Sequence, residues 1–166
     1  MAAAVVTAMV LTILLPRDQR VLPVSILVLS ALWATALLID DLITGGRQMN
    51  SASDLLRAGS IVWTGNNLAF ALVYWELDSG GAAARAHHMR GDDFAFPQQL
   101  NPELARPDWR PRFIDYLYLA FTNATAFSPT DAMPLAPWAK VAMIVQAVTS
   151  LAILGLVIAR AVNVFA

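Results

Sequence analysis

One stretch constrains the fold of this chain more than any other: residues 112–138, which read RFIDYLYLAFTNATAFSPTDAMPLAPW. Its apolar part, Phe113–Thr125, is too short for a membrane-spanning helix, which needs ~20 residues. The polar segment Ser128–Asp131 follows, and a long apolar run begins after Pro137. A short apolar helix, a polar turn and then a full span are typical of a re-entrant loop, in which irregular backbone at membrane depth lies inside protein or beside water.

The composition favours a membrane protein. Hydrophobic residues make up 58% of the chain and charged residues only 14%, whereas an ordinary soluble domain carries about 25% charged residues. Uncharged runs of membrane length occur at Val21–Ile39, Ala58–Trp75 and Val141–Ala159. We therefore predict an all-α integral membrane protein. The alternative is a soluble helical domain with unusually apolar helices.

The predicted organisation has about four transmembrane helices, with the re-entrant loop before the last. Residues 1–54 would hold the first two helices and their connecting loops. The first of these helices would lie in Met1–Pro16, for which a signal peptide is the rival interpretation. Residues 55–166 would form a pore-like domain with an outer helix over 55–77, a long extramembrane loop over 78–111, a pore helix and loop over 112–134 and an inner helix over 137–165.

Several polar side chains interrupt the predicted outer and inner helices. In lipid, such residues face the helix bundle and form hydrogen bonds across it. The positions that we assign to this packing role are Ser60, Thr64, Asn66, Asn67 and Gln146. Contact with an ion is the alternative role for the outer-helix residues. Gln146 forms a polar face with Thr149 and Ser150, and this face is predicted to meet Asn66 or Asn67.

The stretch resembles the pore loop of tetrameric potassium-channel pore domains. That loop reads approximately T-A-T-T-V-G-Y-G-D, with a proline and then W-G-R further on. Aligned without gaps, this chain matches it at Ala124, Thr125, Asp131, Pro134 and Trp138. Gly155 falls where the family has a glycine near the midpoint of its inner helix. The resemblance implies a homotetramer around an axial pathway for monovalent cations, in a bacterial cytoplasmic membrane.

The filter departs from the family pattern. The chain has Ala126, Phe127, Ser128, Pro129 and Thr130 where the family has T-V-G-Y-G. Glycine supplies backbone angles that residues with a Cβ adopt reluctantly, and Pro129 fixes φ and removes an N–H. The predicted ion pathway, Thr125 to Asp131, would therefore contact the ion through hydroxyl groups and a ring of Asp131 carboxylates, since rings of charged side chains also form filters.

Two further roles are implied by the resemblance. Asp131 would either attract cations or act as a structural acceptor for the Trp138 indole N–H or for backbone N–H groups behind the loop. The inner-helix face that lines the cavity in the family corresponds here to Ala147, Ser150, Leu151, Leu154 and Ile158. Packing or lipid contact explains that apolar face equally well.

Other classes of function find little support in the sequence. No span carries a paired acid and base, a Ser/His/Asp set or a zinc motif, so we predict that the chain is not an enzyme. No basic cluster with interleaved aromatic residues indicates nucleic acid. The chain has no Cys, and His87-His88 lacks a third spaced His, so we predict a solvated loop there and no metal or other cofactor.

We therefore predict a tetrameric cation channel with a non-standard filter. The alternative is a non-conducting pore-loop scaffold with a structural or sensory role, which the absent glycines and Pro129 favour. The pore analogy places the region 78–134 outside the cell, whereas the distribution of Arg and Lys favours the opposite orientation. The ion, the gate and the stimulus are left open by the sequence.

Overall fold

The computed structural model describes residues 21–44, 52–81, 85, 91–125 and 131–165. Most of these are helical, so the prediction of an all-α protein is confirmed at that level. The helices are α1 Val21–Thr44, α2 Ala52–Leu77, α3 Pro97–Leu100, α4 Phe113–Thr125 and α5 Pro137–Phe165. Short 3-10 turns occupy Asp78–Gly80 and Pro102–Leu104. The predicted helix in Met1–Pro16 lies outside the described residues.

Within the described part of the chain, one helix is long and apolar enough to cross a membrane. It is Pro137–Ala159 in α5, with 23 residues and a mean hydropathy of 2.4. Only 28% of it is buried, whereas the core helix of a soluble protein would be mostly buried. In α1 the apolar segment is the shorter Val28–Leu37. The other predicted spans and the re-entrant arrangement stay predictions.

Contacts group the described residues into two units. The first comprises the residues up to Ala69 and from Val148 onward, and the second is Phe70–Ala147. Both α2 and α5 therefore contribute to each unit. The predicted division after residue 54, into two N-terminal helices and a pore-like domain, stays a prediction.

In the first unit, α2 packs against the C-terminal half of α5 through apolar side chains. Leu55, Ile153 and Val157 are buried together, with Trp63 among the half-buried residues around them. A Cβ built on Gly59 would lie 2.6 Å from Val157 Cγ2. The absence of a side chain at Gly59 therefore allows the two helices to approach closely, as small residues do in membrane helix pairs.

The second unit has an aromatic core. The ring of Phe94 lies 5.3 Å from that of Tyr74, 6.4 Å from that of Tyr116 and 5.7 Å from that of Trp138, each in an edge-on arrangement. Edge-on pairs place the positive ring edge against a negative ring face, which adds to the energy of burial. The buried ring of Phe94 thereby joins α2, α4 and α5, which are far apart in the sequence.

A small antiparallel sheet completes this unit. Strand β1, Phe94–Ala95, pairs with β2, Met133–Pro134. The backbone N–H of Leu135 also donates to the carbonyl of Asp93 at 2.8 Å. The described part of the predicted extramembrane loop 78–111 therefore includes an ordered, partly buried segment, where the sequence indicated only a long polar loop. The short apolar sequence Phe94–Phe96 lies among polar residues, so the sequence alone did not indicate that it is buried.

Candidate functional site

The described parts of the predicted pore loop are α4 and the segment that begins at Asp131. Helix α4 has 13 residues, which is about 20 Å at 1.5 Å per residue. After the loop, Asp131 and Ala132 line the same cleft as Ile114 and Tyr118 from the first half of α4. The residues directly before β2 therefore lie near the first half of α4.

We call this space the cap cleft. Its volume is about 320 Å³, and it is lined by Phe96, Pro97, Gln98, Ile114, Asp115, Tyr118, Leu119, Asp131 and Ala132. All of these residues belong to the second unit. The cleft thus marks where α4, the segment directly before β2 and the segment that contains α3 meet.

Helix α4 has one packed face and one exposed face. Tyr116, Leu119, Ala120 and Ala124 are buried. Ile114, Tyr118, Phe121 and Thr125 are exposed, the first two with 62% and 57% of their surface accessible. Such large exposed apolar side chains at helical spacing favour a further partner, either lipid or protein.

Gln146 on α5 fixes the position of α4. Its side chain is fully buried, and its Nε2 donates to the carbonyl oxygen of Ala120 at 2.9 Å. Its Oε1 accepts from the Tyr74 hydroxyl at 2.7 Å and from Asn123 Nδ2 at 2.8 Å. Asn123 Nδ2 also donates to the carbonyl of Met143 at 2.9 Å. Gln146 therefore packs against α4 through hydrogen bonds, and the network ends directly before the predicted filter.

A second polar contact joins α2 to α5 in the first unit. Asn66 is fully buried, and its Nδ2 donates to Thr149 Oγ1 at 3.3 Å and to Ser150 Oγ at 3.1 Å. The predicted meeting of the polar face of α5 with Asn66 is confirmed. Ser150 lies in this contact, as predicted for the polar face, and its other predicted role, in lining a cavity, stays a prediction. Ser150 lies on the buried face of α5.

The remaining polar residues of α2 divide between buried and exposed positions. Asn67 is 3% exposed, and its Nδ2 donates to the carbonyl of Trp63 at 2.9 Å. Ser60 and Thr64 are exposed among the described residues, and the packing role predicted for them stays a prediction.

Helix α5 also has one buried face and one exposed face. The buried stripe alternates in steps of four and three residues: Ala139, Met143, Gln146, Ser150, Ile153 and Val157. The opposite face exposes Val141, Ile144, Val148, Leu151, Leu154, Ile158 and Val162. Leu151, Leu154 and Ile158, predicted to line a cavity, are on this exposed face, and Ala147 is half-buried. Whether they face a cavity, lipid or another subunit stays a prediction.

Asp78, directly after α2, is the most connected carboxylate in the described part of the chain. It is 2% exposed. Its Oδ1 accepts from the backbone N–H of Asp93 at 3.0 Å and of Phe94 at 3.2 Å, and the Tyr116 hydroxyl donates to its Oδ2. Burial, and then the charge of Asp78, raise the pKa of the Tyr116 phenol, so it stays protonated and donates.

Arg85 completes what we call the Asp78 cluster: Asp78, Arg85, Asp93 and Tyr116. Its Nη1 donates to the carbonyls of Trp75 and Asp78, both at 2.7 Å, and its guanidinium carbon lies 5.1 Å from the centre of the Tyr116 ring. A cation at the last carbonyls of a helix is favourable. The sequence analysis placed Asp78 only at the start of the extramembrane loop 78–111 and missed this role. An acidic residue directly after a long apolar helix was the available signal.

The filter residues Ala126 to Thr130 lie outside the described residues, as does His87-His88. Thr125 is the last residue of α4, and its hydroxyl donates to the carbonyl of Phe121 at 2.9 Å. Asp131 is exposed in the cap cleft, which leaves both of its predicted roles open. Among the described residues, no group of three or more His, Cys, Asp or Glu could hold a metal ion.

Comparison with known proteins adds no relative: no family model, no curated protein and no solved structure matches the chain.

Proposed function

We propose that this chain is one subunit of a potassium-channel-like, homotetrameric channel for monovalent cations, with a non-standard filter over Thr125–Asp131. The observation that carries this proposal is the surroundings of α4, a helix too short to span a bilayer. It shares a cleft with Asp131 and Ala132, which follow it in the chain, and it is hydrogen-bonded to the long apolar helix α5. Such an arrangement supports a loop that enters the membrane and leaves on the same side.

The way α4 is held supports the same function. A pore helix has to keep its position while ions pass, and irregular backbone within a membrane needs its polar groups satisfied by protein or water. Gln146 binds α4 through both its amide nitrogen and its amide oxygen. Asn123, which completes this network, lies two residues before Thr125, so the start of the proposed filter is anchored to the inner helix.

The exposed apolar faces support association of subunits. One chain supplies a single loop, so an ion pathway on an axis requires several copies, and a closed ring of identical subunits is the usual solution. Exposed side chains of α4 and α5, such as Phe121 and Leu151, would contact neighbouring subunits or lipid. Four copies of Asp131 around the axis would attract cations and repel anions.

The second candidate is a non-conducting scaffold of the same architecture. It is favoured by one sequence observation: Ser128, Pro129 and Thr130 replace the segment G-Y-G of the family. A proline there cannot donate an N–H and restricts the residue before it. The two candidates share a fold and an assembly, and they differ in whether a continuous path for ions exists.

Flux measurement tests the proposal. Purified protein in liposomes should release potassium or sodium ions down a gradient, and Asp131→Asn should lower the rate several-fold, because the proposed ring of carboxylates concentrates cations electrostatically. Glu103→Gln is the matched control, since Glu103 is an exposed carboxylate in the 3-10 turn Pro102–Leu104.

Native mass spectrometry of the same samples reports the number of subunits. Tetramers that conduct would support the channel, and tetramers that pass no cation in a sensitive assay would support the scaffold. A monomer in lipid nanodiscs would refute both, since a lone subunit encloses no axis.

A further inference from the structure

The cap cleft has the features of a binding site beside the proposed ion pathway, with which it shares Asp131. Its volume of about 320 Å³ is at the lower end of the range for ligand pockets, about 300–1,000 Å³. Two of its lining residues, Asp115 and Asp131, are acidic, and the described residues that line it include no Lys or Arg. The charge of the lining therefore selects for a cation.

One of the two carboxylates is held in place by the backbone. Asp115 Oδ2 accepts the backbone N–H of Arg112 at 2.7 Å, a contact typical of an acidic side chain three residues into a helix. This bond fixes the carboxylate at the first turn of α4. Asp131 lines the cleft from the segment directly before β2, so a ligand would be contacted by acidic residues from two separate segments.

The walls of the cleft are aromatic and aliphatic. Phe96 is 4% exposed, and its ring is fixed edge-on against Tyr116 at 5.2 Å. Tyr118 presents an exposed ring from α4, and Leu119 is buried below it. Aromatic faces attract organic cations through their quadrupole, and aliphatic walls favour the alkyl part of such a ligand.

This chemistry disfavours a bare metal ion. Calcium takes six to eight oxygen ligands and magnesium demands an octahedral set, whereas the charged part of this lining consists of two carboxylates. No group of three metal-binding side chains occurs among the described residues. An ammonium with alkyl substituents matches both the acidic residues and the apolar walls.

We propose that the cap cleft binds a small organic cation of the alkylammonium class, with its charge near Asp115 and Asp131 and its alkyl groups against Phe96 and Tyr118. The inference goes beyond the proposed channel function, because binding in the cleft requires only the geometry of the second unit. It stands whether or not the chain conducts ions.

Choline and its neutral carbon isostere, 3,3-dimethylbutan-1-ol, provide the test. Both are titrated by calorimetry and by saturation-transfer NMR into the full-length protein in maltoside detergent at fixed ionic strength. Choline should bind with one site per chain, and the neutral isostere should bind at least about tenfold more weakly, since it lacks attraction to the carboxylates and rings. Equal affinities for the two compounds, or no choline binding, would overturn the proposal.

Variants locate the site. Asp115→Asn, Asp131→Asn and Tyr118→Leu should each weaken choline binding roughly two- to fivefold, as expected for partly exposed ionic and cation–π contacts. Glu103→Gln, on an exposed turn, should leave it unchanged. Circular dichroism melting curves check that each variant is folded. If both Asp variants bind choline like the parent protein, the cleft is not the site.

The same cation occurs free in solution and as the headgroup of choline lipids. Repeating the titration in nanodiscs of phosphatidylglycerol and of phosphatidylcholine separates these sources. Binding of free choline in both lipids identifies a soluble ligand. Binding that is lost only in phosphatidylcholine identifies the headgroup as a competitor, and both results support a site for this class of cation.

Discussion

The two packed units of this chain are stabilised by different means. In the first unit, α2 and α5 approach closely at Gly59 and bury apolar side chains such as Leu55 and Ile153, with Asn66 forming hydrogen bonds across the pair. In the second, buried polar groups of the Asp78 cluster and Gln146 form networks around aromatic rings. Close packing tolerates small changes of shape poorly, whereas a buried network tolerates the loss of a single acceptor poorly.

This difference has a physical origin. Helix pairs made of two regular elements satisfy their backbone internally, so the shape and the hydrogen bonds of their side chains decide how they pack. The segment that contains β1 and β2 has short strands and turns, and its backbone N–H groups need partners from side chains. Asp78 supplies two such acceptor contacts, to Asp93 and Phe94. The Asp78 carboxylate therefore accepts hydrogen bonds from backbone N–H groups at the point where the regular structure of α2 ends.

The largest effect is expected at the Asp78 cluster. Asp78→Ala removes the acceptor of two backbone N–H groups and of the Tyr116 hydroxyl, and should lower the free energy of unfolding by about 3–5 kcal/mol, since each buried unsatisfied donor costs 1–3 kcal/mol. Thermal and denaturant unfolding in detergent, followed by the fluorescence of tryptophan, measure it. Asp108→Asn, an exposed residue with φ of 59° that Asn also adopts, is the control. Equal melting temperatures for the two variants would show that the cluster contributes little.

A smaller effect is expected in the first unit. In Gly59→Ala the new methyl would lie 2.6 Å from Val157 Cγ2, so the helices have to separate, at a cost of about 1–3 kcal/mol. Gly65→Ala is the matched control, because a Cβ there meets nothing within 4 Å and alanine favours a helix by about 1 kcal/mol over glycine. Val157→Ala in the Gly59→Ala background should restore part of the loss. A neutral Gly59→Ala variant would mean that the first unit is not held by close approach.

The smallest effect is expected for a single bond of the Gln146 network. Tyr74→Phe removes the hydroxyl that donates to Gln146 Oε1 at 2.7 Å, while Asn123 Nδ2 still donates to the same oxygen. The amide therefore keeps a partner, and unfolding should become easier by only about 1 kcal/mol. The same unfolding measurements, in a double-mutant cycle with Asn123→Ala, would reveal coupling between the two donors. A loss as large as that of Asp78→Ala would show that the networks differ less than the contacts indicate.

The positions of the main helices could be predicted from the sequence. The apolar run from residue 113 to residue 125 became α4, Phe113–Thr125, and the run after Pro137 became α5, Pro137–Phe165. Apolar runs bounded by prolines and polar residues report local structure directly. The meeting of Asn66 with Thr149 and Ser150 was also predictable, because a buried amide in an apolar helix needs a partner.

The Asp78 cluster could not be predicted in the same way. Asp78 and Tyr116 are 38 residues apart, and the segment between them shows no periodicity that would pair them. The burial of Phe94–Phe96 depends on contacts with Tyr116 and Trp138. The buried face of α5 could not be chosen for a related reason: the spacing along a helix groups side chains by angle but does not say which angle faces a neighbouring helix.

The sequence by itself therefore determined the helical class, the half-length helix before the polar turn and the need of buried amides for partners. These follow from the periodicity and polarity of neighbouring residues. Only the tertiary structure decided that Asp131 and Ala132 lie near the first half of α4 to form the cap cleft, and that Asp78 joins α2, β1 and α4. Contacts between distant segments depend on where each helix ends in space, which no local pattern of residues encodes.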